Sequence, residues 1–184
     1  MKTRIILLAL LIMSMLQTTA MAETKEEKKQ RKEREKIEKA REDSIDYAKA
    51  VQALKENEFT LIADRLECRG YVSHVKDNVN CMSTGDGRGM VQIAPFMSGF
   101  DGINLRGSVR FSEVEINKKG DVMATADIFG TYINARAIIN LSHGGNTAYV
   151  TITSNLYRWR ISMYGKLFPT RVFPELMSEL KNDR

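Results

Sequence analysis

Asp121-Val-Met-Ala-Thr-Ala-Asp-Ile-Phe-Gly130 and the following Thr131-Tyr-Ile-Asn-Ala-Arg-Ala-Ile-Ile-Asn-Leu-Ser142 decide the fold. In the first segment Val122, Ala124, Ala126 and Ile128 recur at every second position. In the second, Ile133, Ala135, Ala137, Ile139 and Leu141 do the same. Strand side chains alternate between faces, so period two predicts two strands, each with one buried and one wet face. Gly130-Thr131 leaves room only for a tight link, which makes the pair an antiparallel hairpin.

The same alternation continues to both sides. Downstream, Thr147 to Thr153 places Ala148, Val150 and Ile152 on one face, after the turn His143-Gly-Gly-Asn146. Arg158 to Leu167 places Trp159, Ile161 and Met163 together, with Arg158, Arg160 and Ser162 opposite. Upstream, Asn104 to Ile116 alternates on Leu105, Val109 and Phe111. It then shifts phase to Val114 and Ile116, which predicts a bulge near Glu113. Asn117-Lys-Lys-Gly120 is the next turn. Asn78 to Thr84 and Gly89 to Pro95 flank Gly85-Asp-Gly-Arg88 as a hairpin, and Phe59 to Cys68 is the first strand. Eight sequential antiparallel strands leave two edges unless the sheet closes. The expected fold is therefore mainly β, an antiparallel eight-stranded up-and-down barrel, with a two-sheet sandwich as the competitor.

A helix precedes the strands. Tyr47, Val51 and Leu54 are spaced for one face of an amphipathic helix over Ser44 to Glu56, with Ser44 as N-cap and Asn57 as stop. It is placed to cover one open end of the barrel. Residues 23–43 hold nine Lys or Arg and eight Asp or Glu and no Gly or Pro, a solvated helical arm or tail, with a partner-docking arm as the alternative. Residues 44–169 form the helix-and-barrel domain. Residues 170–184 form a tail with room for a short helix. At the start, Lys2 and Arg4, the apolar run Ile5 to Leu16, and small residues at Ala20 and Ala22 read as a secretory signal over residues 1–22. The expected location is the periplasm or the exterior, with no membrane span in the mature chain.

Hydrophobic residues at 43% and charged residues at 28% describe a globular chain. The formal net charge of +5 falls to +3 once Lys2 and Arg4 leave, and the signs alternate in the arm. Export and this small excess argue against nucleic acid as a partner. His74 and His143 both lie in or beside loops without a Ser or Cys signature, so neither suggests a triad. Gly85-Asp-Gly-Arg-Gly89 sits between two strands rather than before a helix, so it reads as a turn and not a phosphate loop. Glu113 and Glu115 are neighbours on one strand and cannot face each other across a cleft as a glycosidase pair does. No metal site or cofactor is expected, and the chain reads as a non-enzyme.

Cys68 and Cys81 are the only cysteines, in a chain expected to reach an oxidising compartment. If the first two strands are neighbours about a loop near residue 74, the two lie opposite each other and a disulfide is possible. The alternative is two separate core residues. Gly107, Ala124, Ala126, Ala135 and Ala137 are small and inward. They open a cavity, or they make room for Phe111 and Trp159 in a filled core. A pocket, if present, is lined by Phe111, Trp159 and Met163, and suits a small apolar or amphipathic ligand. The other expectation is an envelope protein partner, met by the outer strand face or the charged arm.

The signal-like start, the charged helix, Phe59-Thr-Leu-Ile-Ala63, Val91-Gln-Ile-Ala-Pro-Phe96 and Arg160-Ile-Ser-Met-Tyr-Gly-Lys-Leu-Phe-Pro169 together resemble domain-of-unknown-function family 4251. These are small exported proteins of Bacteroides-like bacteria, and the resemblance covers about residues 45 to 169. It implies a lipocalin-like barrel topology. It implies no activity, substrate or catalytic residue, and the cysteine pair is not part of that family's pattern.

Overall fold

The alternating segments all become strands. The computed structural model describes residues 25–75, 79–99, 101–131, 133–155 and 159–172. Helix α1 spans Lys25–Glu56. It is followed by β1 (Phe59–Cys68), β2 (Tyr71–His74), β3 (Cys81–Gly85), β4 (Arg88–Ile93), β5 (Ile103–Phe111) and β6 (Glu115–Ile116). Then come β7 (Val122–Gly130), β8 (Ile133–Leu141), β9 (Thr147–Ser154), β10 (Arg160–Pro169) and a 3-10 turn at Thr170–Val172. The signal segment with Ala20 and Ala22, Arg158, and residues 173–184 of the tail lie outside the described residues.

Successive strands pair in a meander, β1-β3-β4-β5-β7-β8-β9-β10, and β10 pairs back onto β1, which closes an eight-stranded antiparallel barrel. The closing seam runs from Phe59 opposite Pro169 to Cys68 opposite Ile161. Closure removes the exposed edges that a sandwich would have kept. The two short strands are accessories: β2 folds back on β1, and β6 continues β5 along β7. Phe111 faces Ala126 while Glu115 faces Met123, so β5–β6 carries one residue more than β7 over this stretch. That is the bulge expected near Glu113.

The inward faces interlock. Ala124, Ala126, Ile128, Ala135, Ala137, Ile139, Val150, Ile152, Ile161 and Met163 are all at most 1% exposed. The outer face of the barrel carries Arg106 and Arg110 on β5, Arg136 on β8 and Arg160 on β10, all exposed. This is the reverse of a transmembrane barrel, whose outer belt is apolar. Among the described residues no helix is long and apolar enough to cross a membrane.

Two units divide the chain, Met1–Lys39 and Ala40–Arg184. In the first, the described residues are helical and exposed, with an ion pair between Arg31 Nε and Glu35 Oε1 at 3.4 Å. In the second, the rest of α1 packs on the barrel through Ala50, Ala53 and Leu54, with Tyr47 and Val51 at the margin. The helix runs unbroken from Lys25, so Ser44 is an interior residue and not the expected N-cap. Helix formers on both sides of Ser44 outweigh its capping preference. The stop at Asn57 is as expected. Asn57 takes φ 59°, its N–H donates to Leu54 O (3.2 Å), and Glu58 N–H donates to Ala53 O (3.0 Å), a Schellman closure. The Tyr47 hydroxyl donates to Gly120 O, and its ring meets His143 edge-on at 5.2 Å. Both partners are in turns at the barrel end where β1 begins, so the helix covers that end.

Candidate functional site

The residues expected to line an interior pocket do not meet around one. Met163 is fully buried within the core. Phe111 lies near the helix end of the barrel, ring to ring with Phe59 at 5.8 Å. Trp159 precedes β10 at the opposite end, half-buried. The small inward residues fill rather than open space: a side chain lacking accessible surface borders no void that water could enter. Ala126 and Ala137 face each other directly across β7 and β8, both 0% exposed. At Gly107 a Cβ would lie 2.3 Å from Phe129 O, so backbone occupies the space.

Cys68 and Cys81 are separate free thiols. Cys81 pairs with Ile62 of β1, and Cys68 lies six positions further along that strand, about 20 Å away at strand rise. A disulfide needs the two Cα atoms within about 7 Å. The expected loop does not place them opposite each other because Tyr71–His74 turns back on β1 as its own strand and takes that position. Burial pushes the Cys81 thiol up from its ordinary value. His143 is held in its turn, its N–H donated to Asp121 Oδ1 at 3.1 Å. Glu113 and Glu115 are both exposed at the bulge. Gly85-Asp-Gly-Arg88 is a two-residue hairpin turn with Asp86 at φ 51° and Gly87 at φ 70°, the conformation Asp-Gly favours. Among the described residues no three His, Cys, Asp or Glu side chains gather as a metal site.

What the structure does assemble lies outside the barrel. In β1 the inward series Phe59, Leu61, Ala63 would next bring Arg65 into the core. Instead Ala63 faces Gly165 and Arg65 faces Tyr164, so Asp64 is an extra, bulged residue. The bulge restores Leu66 and Cys68 to the interior and turns Arg65 out. Val75 N–H satisfies the Asp64 carbonyl at 2.9 Å. Arg65 then begins a cross-strand row with Tyr164 of β10, Tyr149 of β9 and Asn140 of β8. The Arg65 guanidinium sits 3.8 Å from the centre of the Tyr164 ring. Tyr164 stacks on Tyr149 at 5.5 Å and 21°. The Tyr164 hydroxyl donates to Glu67 Oε2 at 3.3 Å, and burial first, then the Glu67 charge, push the phenol up. The row forms one wall of an open groove of about 540 Å³ that also takes in His74, Ser142 and Lys166. Tyr149 is 40% exposed, and Met123 and Ile138 nearby are 43% and 40% exposed. The sequence signal for this site is the phase slip between Ala63 and Leu66, with Gly165 at the position that faces it.

A closed meander barrel with a helix over one end defines a small β-barrel module, here with an arginine–tyrosine row on its outside. The chain belongs to the family described as Domain of unknown function (DUF4251), whose model matches residues 41–167. It is similar to a crystal structure of a DUF4251 family protein from Bacteroides eggerthii DSM 20697. The two share 31% identity over 71% of this chain and 91% of that one, with a TM-score of 0.63. No curated protein matches the chain.

Proposed function

We propose that this is an exported, non-catalytic binding module that recognises an envelope protein through its outer surface, at the Arg65–Tyr164–Tyr149 face. One observation carries this reading: two stacked tyrosines and an arginine stand on the solvent side, where no core needs them, while the inward side chains of β7, β9 and β10 are buried against one another. Tyr and Arg provide much of the binding energy at protein interfaces, because they offer large contact area at low entropic cost together with polar ends. The neighbouring Met123 and Ile138 extend the apolar area, and Lys166 and His74 give it a polar rim. The signal-like residues 1–22 support export.

The test is cross-linking in the native envelope, comparing the unaltered chain with a Tyr149→Ala/Met123→Ser double variant. Both substitutions are on exposed positions, so the barrel is expected to stay folded. The expected result is loss of a discrete cross-linked partner. An identical partner pattern for the two chains sinks this reading.

A further inference from the structure

A second face of the barrel carries unbalanced charge. β4 and β5 pair with Arg88 opposite Ser108 and Met90 opposite Arg106, and Gly89 and Val91 of β4 point inward. Arg88, Arg106 and Arg110 are therefore on the same outer face, with Arg106 and Arg110 two residues to either side of Ser108. Arg88 is diagonal to Arg106 and Arg110 across the sheet, close enough for long side chains to feel one another's charge. Arg110 shares the Asp127 carboxylate with Arg136, which leaves Arg88 and Arg106 as the uncompensated pair. Asp127 faces Arg110 but is held by Arg136, at 2.8 and 3.2 Å, and this pairing keeps its carboxyl below the usual range. Asp86, in the β3–β4 turn, lines the same cleft as Arg88 and Arg106. Among the described residues neither Arg88 nor Arg106 makes an ion pair, in contrast to Arg31, Arg136 and Arg171.

These two arginines border an open cleft of about 640 Å³ with Ser83, Ser108, Met90 and Thr170. Gly85, in the same cleft, has no side chain to fill it. Two planar guanidinium forks on one open cleft suit a compact oxyanion, which each fork can bind through two parallel hydrogen bonds, whereas the Ser108 and Thr170 hydroxyls are already donated to Phe129 O and Thr84 O. We propose that the Arg88–Arg106 cleft binds a tetrahedral oxyanion, a phosphate or sulfate group, free or carried on a lipid headgroup. The bound anion offsets the arginine charge, and so adds stability that rises with the logarithm of its concentration above Kd. This cleft is on β3–β5, away from the tyrosine face on β8–β10, and the inference stands independently of that reading.

The experiment uses the chain with inorganic phosphate, inorganic sulfate, and phosphatidylcholine vesicles with and without phosphatidic acid, at low ionic strength. Binding is measured by calorimetry, and amide shifts are followed by NMR in the unaltered protein. The variants are Arg88→Gln/Arg106→Gln and a charge-matched control, Arg41→Gln/Arg160→Gln, whose residues are exposed and outside the cleft. The expected result is that phosphate or sulfate binds the unaltered protein and the control alike, and the Arg88/Arg106 variant about tenfold or more weakly. The shifted amides should centre on Ser83, Arg88, Arg106 and Ser108. Binding to acidic vesicles alone would assign the anion to a lipid headgroup, and binding of free phosphate or sulfate would assign it to a soluble ligand. Equal binding by all three proteins, shifts centred elsewhere, or no binding to any probe overturns the proposal. So does a melting temperature for the Arg88/Arg106 variant below that of the unaltered protein in anion-free buffer, because relief of repulsion should hold or raise it.

Discussion

At Gly165 a side chain has nowhere to go: a Cβ there would sit 1.8 Å from Ile62 O and 2.8 Å from Ala63 Cα. This glycine lets β10 approach the bulge in β1, and through that bulge it sets which way Arg65 faces. Gly165→Ala should cost on the order of 3 kcal/mol by denaturant unfolding, since backbone on both strands must shift. Gly145→Ala, with nothing within 4 Å, should stay within about 0.5 kcal/mol. Asp121 makes a second residue-scale prediction. The His143 N–H and then the Asn117 amide lower its carboxyl below the ordinary value. The folded value is below the unfolded one, so its contribution is present above about pH 4 and lost as pH falls through the folded value. Asp121→Asn should therefore flatten the fall in melting temperature as pH drops below about 4. An unchanged acid slope would show that this turn does not contribute.

At the scale of the element, α1 joins a charged, exposed stretch to a short packing stretch. Its last turns bury Ala50, Ala53 and Leu54, and Asn57 ends it so that the chain enters β1 without a loop. Leu54 is 0% exposed between helix and barrel, so Leu54→Ala should cost about 2–5 kcal/mol, read as a lower denaturant midpoint. Ile37, on the same helix but 66% exposed, should tolerate an alanine with almost no loss. The spacing of Tyr47, Val51 and Leu54 was legible in sequence. Which of them meet a partner was not, because periodicity names a face without saying what lies against it. The strands show the same division. β1 matched its expected bounds from Phe59 to Cys68, while β2 went unread because Tyr71-Val-Ser-His74 is too short for alternation to register.

For the whole molecule, closure of β10 on β1 turns two edges into a seam and makes the inward side chains one another's environment. Small residues at Ala126 and Ala137 then match a narrow interior. Ala126→Leu should destabilise by about 1–3 kcal/mol, because added methylenes in a filled core force strain. If the larger side chain is accommodated at no cost by thermal unfolding, the barrel holds a cavity after all.

The local pattern of the chain, without any tertiary information, was enough to specify a mainly β fold, the order of its eight principal strands, the tight turns between them and the bulge near Glu113. These follow from period two and turn chemistry, which neighbouring residues determine. Only the tertiary structure decided that Ala126 and Ala137 pack against each other with no exposed surface, that Cys68 and Cys81 are too far apart to bond, and that Arg65, Tyr164 and Tyr149 form one row. Those facts depend on register across the closing seam, where β1 and β10 meet from opposite ends of the domain. One extra residue, Asp64, shifts every side chain beyond it to the other face.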